Sequence, residues 1–330
     1  MMAETFPFIV ARGRSGTTLL RAMFDSHPDM AVPPESHFIC QLASRRARFS
    51  RGGRFFVDRF TDDLGRHESF PRWGLAIDDV RGRLRAVSVN DYSEAIRQIF
   101  ALYAEARGKR RYAEKTPINI MNIPLLATLF PESRFIHLIR DGRDVALSYL
   151  DTDFGVDTVP HAAIYWRRFV REGRRAGRRL GPARYREVRY EELLADPERT
   201  LRELCQFVDL PYAPSMLEYP ERANELMADV PHREHHTRLA LPPTAGLRDW
   251  RRDMDGPDVE LFEAIAGDLL DELGYERRAS SPSLAVRWTA LGVRADVFLE
   301  RVARRLRKFR RVAPGSPVTR APGVHAKEGA

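Results

Sequence analysis

The stretch that decides the fold runs from Phe6 to Pro28 and reads FPFIVARGRSGTTLLRAMFDSHP. Phe6 to Ala11 is apolar and strand-like, and a small turn containing Gly13 and Gly16 follows. Beyond it Leu19, Leu20, Met23 and Phe24 recur at helical spacing. A strand, a glycine turn and a helix N-terminus make an anion site. Backbone N–H groups point into the turn, and the positive end of the helix dipole lies behind them. Gly13 and Gly16 allow close approach of an oxygen; Ser15, Thr17 and Thr18 add hydroxyl donors; Arg14 adds a forked charge. The loop reads as a phosphate cradle, where the plainer alternative is a βα turn capped by Ser or Thr. A nucleotide triphosphatase loop, GxxxxGK[ST], carries a Lys that reaches the β/γ-phosphates. Here Ala11 replaces the first Gly and Thr17 stands at the Lys position.

A second strand is expected at Arg134 to Ile139, RFIHLI, running into Arg140-Asp141-Gly142-Arg143-Asp144 and then a helix from Val145. Ligands of open α/β sheets bind beyond the carboxyl ends of the strands, where Arg140 stands. Ser148 lies about two helical turns on, so it shares an anion with Arg140 only if the helix runs alongside. A Walker B strand ends in Asp to hold Mg²⁺. An Arg in that place argues for a bare anion. The plainer alternative pairs Arg140 and Arg143 with Asp141 and Asp144.

Two anion grips without a P-loop Lys or a Walker B Asp resemble the sulfotransferases that use 3′-phosphoadenosine 5′-phosphosulfate (PAPS). GRSGTTLLRAMFDSHPDM is similar to their 5′-phosphosulfate loop and RFIHLIRDGRDVALSYL to their 3′-phosphate motif. Within the superfamily the wording is most similar to tyrosylprotein sulfotransferases and their bacterial relatives. Glu35 to Phe38 also resembles a stretch of the heparan sulfate sulfotransferases. The resemblance implies an α/β fold with a P-loop-like central parallel sheet flanked by helices. It implies PAPS as sulfuryl donor, no metal, and a hydroxyl acceptor such as a sugar, tyrosine, lipid or small molecule. Arg14, Ser15, Gly16, Thr17 and Thr18 match the 5′-phosphate loop, Arg140 and Ser148 the 3′-phosphate grip, and Tyr190 a nearby cofactor contact. Gly246 to Trp250 is similar to a Gly-x-x-x-Trp beside the cofactor lid, which puts Arg248 at the cofactor. Glu35 matches a catalytic base and Lys115 the Lys near the leaving phosphate; Arg14 counts among the catalytic residues too.

The chemistry agrees. An acceptor hydroxyl needs a base, and the leaving phosphate needs positive charge. Glu35 follows the rigid Pro33-Pro34; its structural alternative is to stabilise the first turn of a helix from Ser36 to Arg46. Lys occurs only at 109, 115, 308 and 327 in an Arg-dominated chain, and a compact ammonium suits a bridging oxygen. The alternative for Lys115 is an exposed pair with Glu114. Two further readings stay open: a P-loop kinase-like phosphotransferase, and a non-catalytic nucleotide-binding interaction protein.

At 330 residues the chain can bury one substantial α/β core. A net charge of +8 suits an anionic cofactor or acceptor or a membrane surface. No zinc-finger, RNP-like or bZIP pattern points to nucleic acid. The division expected is 1–278 for the sulfotransferase domain and 279–330 for a basic amphipathic helix with a disordered tail. The helix, residues 284–311, has three possible settings: a peripheral membrane contact, a partner, or the domain itself. Residues 45–90 read as an irregular or short-helical insertion, either covering the acceptor pocket or forming a variable surface excursion. His232, His235 and His236 lack a firm fourth ligand and read as a mobile loop on the cofactor side rather than a metal site. Helices are also expected over 91–107, 118–130, 161–179, 197–208 and 258–273. Two cysteines, no room for a signal peptide and no spanning segment give an expectation of a cytoplasmic protein, peripheral on the inner membrane surface.

Overall fold

Strand β1 (Phe6–Ala11) is buried along its whole length, as happens when a parallel sheet is covered on both faces. The two-residue period divides its side chains. Phe6, Phe8 and Val10 join one apolar cluster; Ile9 and Ala11 join another. It lies between β2 (Glu114–Lys115) and β3 (Ser133–Ile139), and β4 (Tyr185–Arg189) completes a sheet of order β2-β1-β3-β4. Every pairing is parallel, with Ile9 opposite Lys115, Ala11 opposite Leu138 and Ile139 opposite Arg189. The carboxyl ends of the four strands therefore share one edge. The structure, a computed structural model, describes residues 4–152, 155–222, 249–278 and 282–312.

Helices cover both faces: α1 (Thr17–Asp25), α2 (Tyr92–Glu105), α3 (Gly142–Leu150), α4 (Val159–Leu180) and α5 (Gly256–Glu272). Asp91 caps α2 by accepting from the Glu94 N–H, and the buried face of α2 carries Ile96, Ile99, Phe100 and Tyr103. Phe100 meets Phe6 and Trp73 edge-on at 4.9 and 4.8 Å, a favoured aromatic geometry. Residues 45–90 are not a surface excursion. They form short strands and the helices Val57–Gly65 and Ile77–Ala86, and they bury Phe55, Phe60, Phe70 and Trp73 in the same cluster as Phe6. Fully burying each such ring contributes about 1.5–3 kcal/mol, which binds the segment to the domain.

Two expected helices differ. The one over 36–46 is confined to Phe38–Ala43, because Ser36 is held by hydrogen bonds to Glu114 and Thr116. The one over 118–130 divides into a 3₁₀ turn, Pro117–Asn122, and an α-helix, Ile123–Leu129, with Pro124 in its first turn. The basic helix α6 (Leu284–Val312) docks on α4 and α5, burying Ala290 and Val297, and Arg294 donates to the Ile265 carbonyl at 2.5 Å. Its opposite face exposes Leu284, Trp288, Leu291, Phe298 and Leu299. Among the described residues no helix is long and apolar enough to cross a membrane. Arg248, the His232, His235 and His236 group, and the tail beyond Val312 lie outside the described residues.

Gly142 opens α3 where a Cβ would stand 2.5 Å from Trp166 and 2.6 Å from Phe262. Gly142→Ala is expected to lower unfolding stability by about 1–3 kcal/mol, the usual scale of core overpacking. Urea titration of both proteins measures it.

Candidate active site

The first loop leaves β1 at Arg12 and enters α1 at Thr17. Gly16 has φ 93°, a left-handed conformation open to glycine, and supplies no side chain to cap α1. Arg14 itself has φ 69°, an unusual value for a residue with a Cβ and one found most often at functional turns. The Ser15 hydroxyl closes the loop by donating to the Arg12 carbonyl at 2.7 Å. Thr17 is buried and Thr18 half-buried. Glycine is required at 13 and 16 for space as well: a Cβ at Gly13 would stand 2.5 Å from the Tyr149 hydroxyl, and one at Gly16 would enter the Tyr190 ring.

The second loop follows β3. Arg140 and Arg143 have separated roles. Arg143 is fully buried, pairs with Asp141 at 2.7 Å and Glu263 at 2.6 Å, and lies 3.5 Å from the Trp250 ring centre. It is structural, as the plainer alternative has it. Among the described residues Arg140 makes a 3.5 Å ion-pair contact with Asp144, and its buried Nε has no hydrogen-bond partner there. Its guanidinium lies 4.7 Å from the Tyr190 ring centre, so Tyr190 touches both loops. Burial raises the Asp144 carboxyl to about 6, with Arg140 pulling the other way. The Ser148 hydroxyl accepts from Arg14 Nε at 3.0 Å, joining α3 to the first loop.

Glu35 and Lys115 meet from opposite sides of the edge. Lys115 is 3% exposed and donates to Glu35 at 2.7 Å; it makes no exposed pair with Glu114. Glu35 is not a helix cap, since its other oxygen lies 3.1 Å from His37 Nε2. Burial pushes the Glu35 carboxyl up, but Lys115 and His37 outweigh it and hold the group far below the ordinary carboxylate range. The hydrogen bond to Glu35 raises the His37 imidazole, against burial. Glu114 is wholly buried and raised by that burial. It accepts from Ser36 at 2.6 Å and from the Thr116 N–H and Asn119 at 3.2 Å. This network fixes the Glu35 segment onto β2. Sequence reasoning missed His37 and Glu114. The one signal for Glu114 was a carboxylate beside Lys115 in a strand with no polar face to spare.

The edge therefore gathers Arg14, Ser15, Gly16, Thr17, Glu35, Lys115, Arg140, Ser148 and Tyr190 around the two loops that follow β1 and β3 of a P-loop-like α/β fold. A model of the sulfotransferase family matches residues 8–214. The chain belongs to that family. It is similar to the protein-tyrosine sulfotransferase of Drosophila melanogaster, 24% identical across 83% of this chain and 52% of that protein. Protein-tyrosine sulfotransferase 1 of Danio rerio is 25% identical across 84% of this chain and 74% of its own length. The chain thus spans about half the length of the first relative. Among solved structures, the sulfotransferase domain of the Synechococcus PCC 7002 olefin synthase superposes with a TM-score of 0.58 at 22% identity, covering 84% of this chain and 98% of that one. The corresponding domain of the curacin biosynthetic pathway gives 0.52 at 18% identity, covering 84% and 100%.

The relatives correct the expected location. Their match across most of the chain conflicts with a cytoplasmic placement at an inner membrane surface. The physical basis of that placement was thin: Cys205 is buried and Cys40 half-buried, both as free thiols, which decides no compartment.

The Glu35–His37 contact has a measurable signature. His37 should titrate above its ordinary value near 6.5, and Glu35→Gln should return it toward that value. A raised His pKa contributes stability that is fully present below the unfolded value and is lost as pH rises through the folded one. Imidazole proton NMR across pH 5–9 checks both; a His37 that titrates alike in the two proteins contradicts the contact.

Proposed function

We propose that the chain transfers a sulfuryl group from PAPS to an acceptor hydroxyl, with Glu35 as base and Lys115 meeting the charge on the leaving phosphate. The observation that carries this is the contact at 2.7 Å between buried Lys115 and half-buried Glu35, on the same strand edge as Arg14 and Arg140. The residues fit the donor. A loop that tolerates no Cβ at 13 or 16 suits a phosphate against its backbone, and a buried Arg140 Nε without a partner suits a further phosphate oxygen. Arg14 to Thr18 would hold the 5′ side, and Arg140 with Ser148 the 3′-phosphate, beside Tyr190. The donor supplies the sulfuryl group. The relatives' names point to protein tyrosine as one hydroxyl of the right class; sugar, lipid and small-molecule hydroxyls meet the same base. Thr17 at the P-loop Lys position weighs against the kinase-like alternative, and the Glu35–Lys115 pair against a non-catalytic one.

The resting pair has a mechanistic consequence. A carboxylate held far below its ordinary pKa is a poor base. With a donor bound, Lys115 would be able to meet the leaving phosphate; Glu35 would then lose the larger of the influences that depress it, with His37 still in place, and would be the better base for the hydroxyl proton. Arg14 is held by Ser148 in the same resting state.

Steady-state kinetics with PAPS and a good acceptor test the roles. Glu35→Gln should lower turnover by roughly 10²–10⁴-fold. Lys115→Ala should lower kcat by roughly 10²–10³-fold with a much smaller loss of donor affinity, and Lys115→Arg should rescue poorly. Near-normal turnover in either Glu35→Gln or Lys115→Ala contradicts the role assigned. Calorimetry tests the second grip. Arg140→Ala should weaken adenosine 3′,5′-bisphosphate by about 1.5–3 kcal/mol and adenosine 5′-phosphate far less. Equal losses for the two ligands would remove Arg140 from the 3′-phosphate.

A further inference from the structure

Arg12 is the first residue beyond β1, two before Arg14, and nothing above gives it a task. Its guanidinium carbon lies 4.3 Å from the Tyr149 ring centre, 4.9 Å from that of Phe169 and 5.7 Å from that of Tyr165. The Nε is buried and makes no hydrogen bond. Among the described residues no carboxylate pairs with it; the groups that favour its charge are the phenols of Tyr149 and Tyr165, against the larger effect of burial. Arg140 and Arg143 differ, since each has a carboxylate partner.

That arrangement is costly in a resting protein. Arg12 is half-buried; taking part of a cation out of water is unfavourable, and aromatic faces return only a fraction of that cost. The rings hold the guanidinium in place without neutralising it, so its charge stays available. Location says what for. Tyr149 directly follows Ser148, the partner of Arg14, and its hydroxyl lies against Gly13. Its phenol is within electrostatic reach of Arg12, Arg14 and Glu35. Arg12 therefore borders the place where donor and acceptor would react, from the wall built by α3 and α4.

We propose that Arg12, backed by Tyr149, Tyr165 and Phe169, is an additional oxyanion-binding position of this site. A guanidinium fork recognises a sulfate or a carboxylate alike. The oxyanion is either the sulfuryl group in transit or an acid group carried by the acceptor. The inference rests on the sulfotransferase reading, since that reading brings both groups there.

The test uses the full chain saturated with adenosine 3′,5′-bisphosphate, which leaves the sulfuryl and acceptor positions open. Inorganic sulfate and 4-hydroxybenzoate are titrated separately by calorimetry, into wild type and into Arg12→Met, which keeps the apolar stem over the rings. Arg12→Gln replaces it if the Met variant does not fold. The bisphosphate itself should bind both proteins within about twofold, because Arg12 is assigned to neither phosphate. At least one probe should bind the variant roughly tenfold more weakly or worse, the effect of losing a charge-assisted hydrogen bond. A loss confined to sulfate assigns Arg12 to the sulfuryl group, and a loss confined to hydroxybenzoate assigns it to an acidic acceptor. Unchanged binding of both probes overturns the proposal, as does an equal loss of the bisphosphate. Failure of wild type to bind the bisphosphate at all counts instead against the sulfotransferase reading.

Discussion

Parallel pairing of one short, wholly buried strand with neighbours on both sides is the constraint on which the site depends. Because β1 runs parallel to β2 and β3, their carboxyl ends fall on one edge. Residues far apart in the chain then emerge together: Arg14 from the first loop, Lys115 from β2, Arg140 from the loop after β3. Antiparallel pairing of either neighbour would send its cation to the opposite edge. The register is held by the split of β1 between two apolar clusters, since a slip of one residue would exchange Phe6, Phe8 and Val10 with Ile9 and Ala11.

Electrostatics at that edge are balanced by contacts that can be exchanged. Lys115 is too deeply buried to stand alone, and Glu35 is its partner. Removing one member of such a pair is far costlier than holding both, so the pair keeps the edge folded while it waits for a ligand. A looser pair of the same kind is Arg140 with Asp144, while Arg14 donates to the neutral Ser148 hydroxyl. The fixed elements lie one layer back. Glu114 ties the Glu35 segment to β2 through Ser36, and Arg143 locks the second loop against α5 through Glu263. Exchangeable cations in front and satisfied carboxylates behind are what a site needs if it must receive several phosphate oxygens without collapsing.

Much of this was legible in the sequence, for identifiable reasons. β1 was read at its observed ends, because an apolar run that stops at Arg12 is a strong local signal. The glycine turn between β1 and α1 was legible because its residues are contiguous. Glu35 and Lys115 were readable as types of residue through resemblance, but their contact was not, since 80 positions separate them. His37 and Glu114 escaped because their significance lies wholly in that contact. Arg12 escaped because it looks like one Arg among many until its missing carboxylate is seen. Residues 45–90 are short-helical as read, with helices Val57–Gly65 and Ile77–Ala86, but that their aromatics join the main core was not legible, because Arg and Gly among them look like surface composition.

Sulfuryl transfer at this edge, as proposed, has a direct test. Incubation of the chain with PAPS labelled in its sulfur, in the presence of a chelator and a panel of tyrosine, sugar, lipid and small phenol hydroxyls, tests it most directly. Label is expected on an acceptor oxygen with equimolar release of adenosine 3′,5′-bisphosphate. Absence of label from every acceptor, with Mg²⁺-dependent phosphorylation of one of them by ATP, would contradict it.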